Sequence, residues 1–418
     1  MNSRADILIV GGGAIGLCAA HYLLKKGAKV VVVDKGAFGH GSSLHNAGYI
    51  CPSHFVPIAS PGQFSQALRW MFDSRSPLYV KPRLDGELFA WSREFRKACK
   101  EARMRRAMPL LRDLLLDSAH LIHEMSLEEG MAFHLTNQGL CMLFATERGE
   151  TACRHEAGLA DEVGITARIL AREELCRMDP GVKFTARGGL FFPGDSHLVP
   201  AKFMDDLAAS LSQRGARLLS NCAVQGFSRS GSRLSGVSTS RGEIAADEFV
   251  LAGGAWSTSI VRDLGIRLLM QAGKGYSITV SRPPVNPVHP YIFYERRVAV
   301  TPFQDSLRFA GTMEIAGVNE SITRPRVEAI LDAIPFYFGN IARPSLDDLE
   351  PWAGMRPVSP DGLPYIGRFH QVSNLIAATG HAMLGISLSA VTGKLVAEIA
   401  EGETPSYDLG LLSPNRFD

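Results

Sequence analysis

The sequence predicts an α/β chain in two parts: an FAD-type Rossmann-like domain and a second α+β domain built on an antiparallel sheet. Three observations predict this. Residues 5–34 read as strand, glycine turn, helix and strand. The chain is 418 residues long and 46% hydrophobic, more than one ordinary core holds. Alternating apolar and polar segments gather between residues 266 and 344, the period of half-buried strands.

The first element is the stretch ADILIVGGGAIGLCAAHYLLKKGAKVVVVDKG. Its apolar run Ile7 to Val10, helical pattern Ala14 to Lys26 and second run Val30 to Val33 make one βαβ unit. Gly11 allows the tight turn after the first strand. Gly13 removes the side chain that would block a pyrophosphate, and Gly16 lets the helix approach the sheet. Ala14 and Ile15 open the helix, whose unpaired N–H groups attract phosphate. Asp34, followed by Lys35, closes the second strand where a carboxylate accepts hydrogen bonds from both ribose hydroxyls, which favours an unphosphorylated ribose.

The next segment, GAFGHGSSLHNAGYICPSHF, departs from the further βα units usual in nicotinamide-dependent dehydrogenases. Its small residues Ser42, Ser43, Asn46, Ala47 and Gly48 let the chain pass close over a pyrophosphate or an isoalloxazine edge. A second glycine-rich contact follows much later, in ADEFVLAGGAWS. Two distant contacts suit a long, extended FAD.

Between Pro61 and Glu129 the pattern turns helical, with at least three helices expected. Strands return at Gly139 to Ala145 and Gly188 to Phe192, and Pro200 is placed as the first residue of a helix. The runs YSITV, RVAVTPF and LRFAGTMEIAG read as strands of the second sheet, and a helix is expected over Ser389 to Glu401. The expected division is residues 1–60, 198–265 and 345–418 for the FAD-binding domain, with 61–197 and 266–344 forming the substrate domain.

Lys plus Arg number 44 against 42 Asp plus Glu, a balance that argues against a nucleic-acid protein. The seven cysteines are scattered, with no C-x-x-C pair and no His cluster at metal-ligand spacing, so a reducing compartment and no metal are expected. A secretory signal and a membrane-length apolar run are both missing from the pattern, which points to the cytoplasm. The basic run Arg93 to Arg106 reads as a solvated helical face or as a surface that meets anionic lipid at the inner face of the membrane.

Taken in order, GGGAIG with Asp34, GSSLHNAG, GDSHLVP, VLAGGAWS, GKGYSITV, WAGMRPVSPDGLPYIG and ATGHAMLGISLS resemble the D-amino-acid oxidase superfamily of FAD-dependent oxidoreductases. The resemblance covers nearly the whole chain and is nearest to the bacterial D-amino-acid dehydrogenase small-subunit type. It implies oxidative deamination of a D-amino acid, with hydride passing from Cα to the flavin and electrons onward to a quinone or other acceptor. Alternatives within it are a D-proline or D-hydroxyproline dehydrogenase and a glycine- or sarcosine-type oxidase. A flavin-binding subunit without turnover is a further alternative.

The resemblance also assigns residues. Arg356 occupies the G-x-R-P position that binds the substrate carboxylate, a task suited to a planar guanidinium; the alternative is a structural arginine paired with an acid. Tyr276 is the second substrate candidate, or an ordinary strand aromatic. Gly380, His381, Met383, Leu384 and Gly385 are expected beside the flavin, His381 with a catalytic or a packing role. Val224, Gly253, Gly254 and Trp256 extend the cofactor contacts. His45 stands where a small residue is usual, and a similar segment of dimethylglycine dehydrogenases carries a histidine bonded to flavin, so a covalent link is left open. Asp361 is expected to cap its own Pro-Asp-Gly turn, and His197 with Asp195 to order the crossover strand.

Overall fold

The computed structural model describes residues 4–70 and 75–418; residues 1–3 and the end of the helical run Phe64 to Phe72 lie outside the described residues. The opening apolar run forms the strand Ala5–Val10, followed by the helix Ala14–Lys25 and the strand Val30–Val33. The first strand pairs in parallel with Val30–Val33 on one side and Gly242–Leu251 on the other. Arg217–Leu219 and Leu375–Thr379 extend this parallel sheet. A parallel sheet is covered on both faces, so Val30, Val31, Val32 and Val33 are all buried and show no alternation. Helices Ala14–Lys25, Pro200–Gln213 and Ser389–Ala400 contribute to one core with the first strand. Gly393 lies where two of them cross, since a β-carbon there would stand 2.6 Å from the Cys18 backbone.

The second sheet has nine strands, centred on Gln271–Ser281, Ser306–Ile315 and Val298–Phe303, which pair antiparallel as the alternation predicts. Between Lys274 and Tyr276 the register slips: Lys274 faces Glu314 while Tyr276 faces Gly311, leaving Thr312 and Met313 opposite Gly275. The extra residue bends the strand locally, and Thr312 carries φ of 67°, uncommon for a β-branched residue.

Two boundaries differ from the expected division. The strand Trp352–Val358, expected in the FAD-binding domain, is an edge strand of the second sheet, paired along Gln271–Ser281. The helix Glu101–Ser126, expected in the substrate domain, buries Leu111, Leu114, Leu115 and Ile122 in the core of the first domain. Its apolar stripe is long enough for two partners, and Met104 and Met108 pack instead in a cluster with Met142 and Phe192 of the second sheet. The three expected helices are found at Gln63–Trp70, Gly86–Ala98 and Glu101–Ser126, and Pro200 opens its helix as expected. Among the described residues no helix is long and apolar enough to cross a membrane.

Candidate active site

A single cavity of about 1180 Å³ runs between the two sheets and along the ends of the first-domain strands. That exceeds the range of a drug-sized pocket and suits a long cofactor with a substrate beside it. Gly11, Gly13, Ala14, Ile15, Asp34 and Lys35 line one end. Gly11 has φ of 116°, and a β-carbon there would stand 2.3 Å from the Ala252 carbonyl oxygen. Gly16 does not line the cavity; a β-carbon would lie 1.9 Å from the Gly11 oxygen, so this glycine seats the helix on the turn. The helix has no side-chain N-cap and no acid in its first turn, leaving donors for an anion.

Asp34, the expected ribose acceptor, also has partners within the protein. Its carboxylate takes the Gly12 amide at 2.7 Å and the Gly36 amide at 2.8 Å, so it also shapes the glycine loop. Lys35 reaches across the cavity mouth, its Nζ 3.5 Å from the centre of the Trp256 ring, and burial lowers its pKa. Val224, Gly253, Gly254 and Trp256 line the same region.

The loop from Ser42 to Gly48 is locked from within. Asn46 donates to the carbonyls of Ser42 and Ser43 and accepts from the Gly48 amide, while Ser43 Oγ accepts from the Ala14 amide at 3.1 Å. Ser42 donates to the Met355 carbonyl at 2.6 Å, tying the loop to the Arg356 strand. Ala47 accepts from Thr301, and Gly48 leaves no room for a side chain beside the Leu198 oxygen at 2.2 Å. All these residues line the cavity, as does His45, whose ring lies 5.1 Å from that of Trp352. Burial and the nearby Arg308 lower the His45 pKa, so the imidazole is neutral at pH 7.

Arg356 also lines the cavity. Its Nη1 donates to the Thr312 carbonyl at 2.8 Å, the carbonyl that the bulge turns toward it. Among the described residues no carboxylate lies within 4.0 Å of its guanidinium. Burial lowers its pKa to about 10, so it stays a cation. A half-buried guanidinium with free donors and no counterion is a binding site for an anion.

Tyr276 differs from expectation. Neighbouring strand residues face opposite sides, and the Arg356 guanidinium occupies the space over Gly275. The Tyr276 phenol therefore points away from it, donating to Glu314 at 2.8 Å within a buried group that includes Lys274 and Arg326. Tyr276 itself still lines the cavity. His381 lines the cavity as expected, but its Nε2 meets Thr392 Oγ1 at 3.0 Å and burial lowers its pKa to about 3. The imidazole packs against the helix Ser389–Ala400, the bland alternative. Gly380 does not line the cavity and has φ of 82° beside Tyr365, whereas Met383, Leu384 and Gly385 do line it.

Distant residues complete the surroundings. Ser53 donates to Asp195 from both amide and hydroxyl, and Asp195 with Cys51 and His54 forms a buried group whose polar atoms lie within 4.8 Å of one another. The sequence shows no such cluster because Asp195 is far along the chain. Burial raises the Asp195 pKa to about 7. His197 contacts the Pro302 carbonyl at 3.2 Å, so both residues do order the crossover. Asp361 accepts from Leu363 within its turn, as expected, and also takes two bonds from Arg416, a partner the motif did not reveal.

A glycine cradle at the ends of parallel strands, sharing one cavity with a cation on a facing sheet, defines a two-domain, dinucleotide-dependent enzyme. The chain belongs to the DAO family of FAD-dependent oxidoreductases, whose family model, described as FAD dependent oxidoreductase, matches residues 6–399. It is 31% identical over 416 residues to a protein named D-amino acid dehydrogenase from Vibrio vulnificus (strain YJ016), covering 97% of this chain and 98% of that one. A protein of the same name from Agrobacterium fabrum is 32% identical over 428 residues, covering 99% of each. Among solved structures, glycine oxidase from Geobacillus kaustophilus superposes with a TM-score of 0.78 at 24% identity over 99% of each chain. L-proline dehydrogenase from P. horikoshii superposes with a TM-score of 0.73 at 21% identity, covering 100% of this chain and 98% of that one. These two establish the fold. The cofactor is FAD, and the open glycine turns and uncapped helix fit its pyrophosphate.

Proposed function

We propose that this chain oxidises D-amino acids, with Arg356 holding the substrate carboxylate. The single observation that carries the reading is the Arg356 guanidinium facing the shared cavity without an acid partner; the names of the relatives at 31–32% identity point the same way. A carboxylate meeting the free donors gains two parallel charge-assisted bonds, strengthened by exclusion of water. The Thr312 carbonyl fixes the guanidinium plane from behind, and the Ser42 bond to Met355 sets the distance between the two walls of the site. Bound FAD supplies the two-electron acceptor. The chain's own part is orientation: one carboxylate anchored and one Cα presented.

The electrons then pass to a quinone or another acceptor. Exposed Leu84 and Phe89 stand near basic Arg93, Arg96 and Lys97 on the helix Gly86–Ala98, which supports peripheral contact with anionic lipid. Anaerobic addition of D-alanine to the yellow protein is the test. Loss of the flavin colour supports the reading, and slow return of colour in air assigns a dehydrogenase over an oxidase. A fully loaded flavin that no D-amino acid bleaches overturns it.

A further inference from the structure

The cavity continues past Arg356 along one row of the second sheet. Trp352, Ser277, Ala310, Ala299, Ile292 and Met142 are successive cross-strand partners, and all six line the cavity. Directly paired residues share a face, so the row is a floor, with small side chains in the middle and large ones at the far end. There Met104 and Leu159, from two helices above, join Met142 in an apolar throat.

At the end of the throat stand Glu156 and Arg297. Glu156 is half-buried and makes no hydrogen bond or ion pair with any described residue, and burial raises its pKa. Leaving a carboxylate in such a place without a partner is unfavourable. Among the described residues Arg297 is the cation that acts on it, while Arg105, which also lines the cavity, is paired with Glu101 and Glu162; the Arg297 guanidinium lies 4.7 Å from the centre of the Tyr294 ring and the residue is exposed. Solvent weakens an exposed charge more than a half-buried one, which leaves Glu156 the less screened of the two. From Ser306–Ile315, whose Thr312 holds Arg356, to Tyr291–Phe293 is two strand spacings, about 10 Å. Met142, on the next strand Leu140–Phe144, lies one spacing further, so only the longest side chains extend toward that end.

We propose that the throat receives the substrate side chain and that Glu156 selects a cationic end, making long basic D-amino acids, with an apolar stem and an ammonium or guanidinium terminus, the preferred substrates. This rests on the D-amino-acid reading above and names the substrate class within it.

The test compares D-lysine with D-norleucine, which has the same stem without the charge, alongside D-alanine and D-glutamate. The FAD-loaded protein is assayed with an artificial electron-accepting dye. The expected kcat/KM ratio of D-lysine to D-norleucine exceeds tenfold and falls toward one in Glu156→Gln, mainly through KM. Flavin absorbance confirms that the variant is folded and loaded. A wild-type ratio of one or less, a ratio unmoved in Glu156→Gln, or a preference for D-glutamate overturns the subsite while turnover of D-alanine keeps the broader reading. If none of the four is oxidised by loaded protein, both fall together.

Discussion

The Arg356 guanidinium rests against Gly275, where a β-carbon would stand 1.9 Å from Nη1. Gly275 and Gly354 face each other across the two strands, and a β-carbon at Gly354 would stand 2.0 Å from the Trp352 ring. The pair of glycines thus makes room for both large side chains of the substrate wall. Gly275→Ala is expected to displace the guanidinium and raise KM more than tenfold while the protein stays yellow. Steady-state kinetics on the flavin-loaded variant measure this; an unchanged KM would mean the arginine is free to move aside.

On the proposed reading, Arg356→Ala removes two charge-assisted bonds to the substrate, each worth roughly 1.5–3 kcal/mol. The corresponding fall in kcat/KM is about a hundredfold or more. Arg356→Lys recovers only part of it, because a point charge does not reproduce the planar fork. Retained flavin absorbance in both variants separates loss of substrate binding from loss of cofactor.

Asp34→Ala withdraws the acceptor of two loop amides and, on the proposed reading, a ribose contact. The variant is expected to purify largely colourless and to bind added FAD at least tenfold more weakly, measured by fluorescence titration. Binding as tight as that of the unaltered protein would show that the loop holds its shape without the carboxylate.

Tyr276→Phe discriminates a supporting role from a substrate contact. The lost hydroxyl leaves Glu314 with the Thr323 hydroxyl at 3.3 Å, Lys274 at 3.8 Å and Arg326 at 3.6 Å as partners. A stability loss of about 1–3 kcal/mol is expected, with kcat/KM changed by only a few-fold. A hundredfold fall in kcat/KM at full stability would return the phenol to the substrate.

His381 is buried neutral, its pKa lowered to about 3 from the ordinary value near 6.5. Between those values the unfolded chain binds the proton and the folded chain does not, so stability falls as pH drops from 6.5 toward 3. His381→Asn is expected to flatten that part of the stability curve in denaturant unfolding. An unaltered slope would mean that the acid sensitivity belongs to His54 and His197, whose pKa values burial also lowers to about 4.

The nucleotide-binding half was legible because its signals are local: Gly11, Gly13 and Asp34 sit at separations set by one strand, one turn and one helix. The G-x-R-P position of Arg356 was equally legible, since a short motif carries its own geometry. The direction of a side chain is another matter. Tyr276 lies one residue from Gly275, and strand alternation together with a bulge at Thr312 sends its phenol to Glu314 and away from Arg356. His381 follows a glycine of positive φ and a chain path that turns its ring onto Thr392. By itself the sequence determined the βαβ cradle, because that depends on neighbours within a few residues, while the cofactor class followed from the order of several motifs along the chain and Arg356 was singled out by resemblance. Only the tertiary structure decided that the helix Glu101–Ser126 serves two cores, that Asp195 joins Cys51 and His54, and that Glu156 closes the throat, because pairing across sheets and between distant helices is settled by packing of the whole chain.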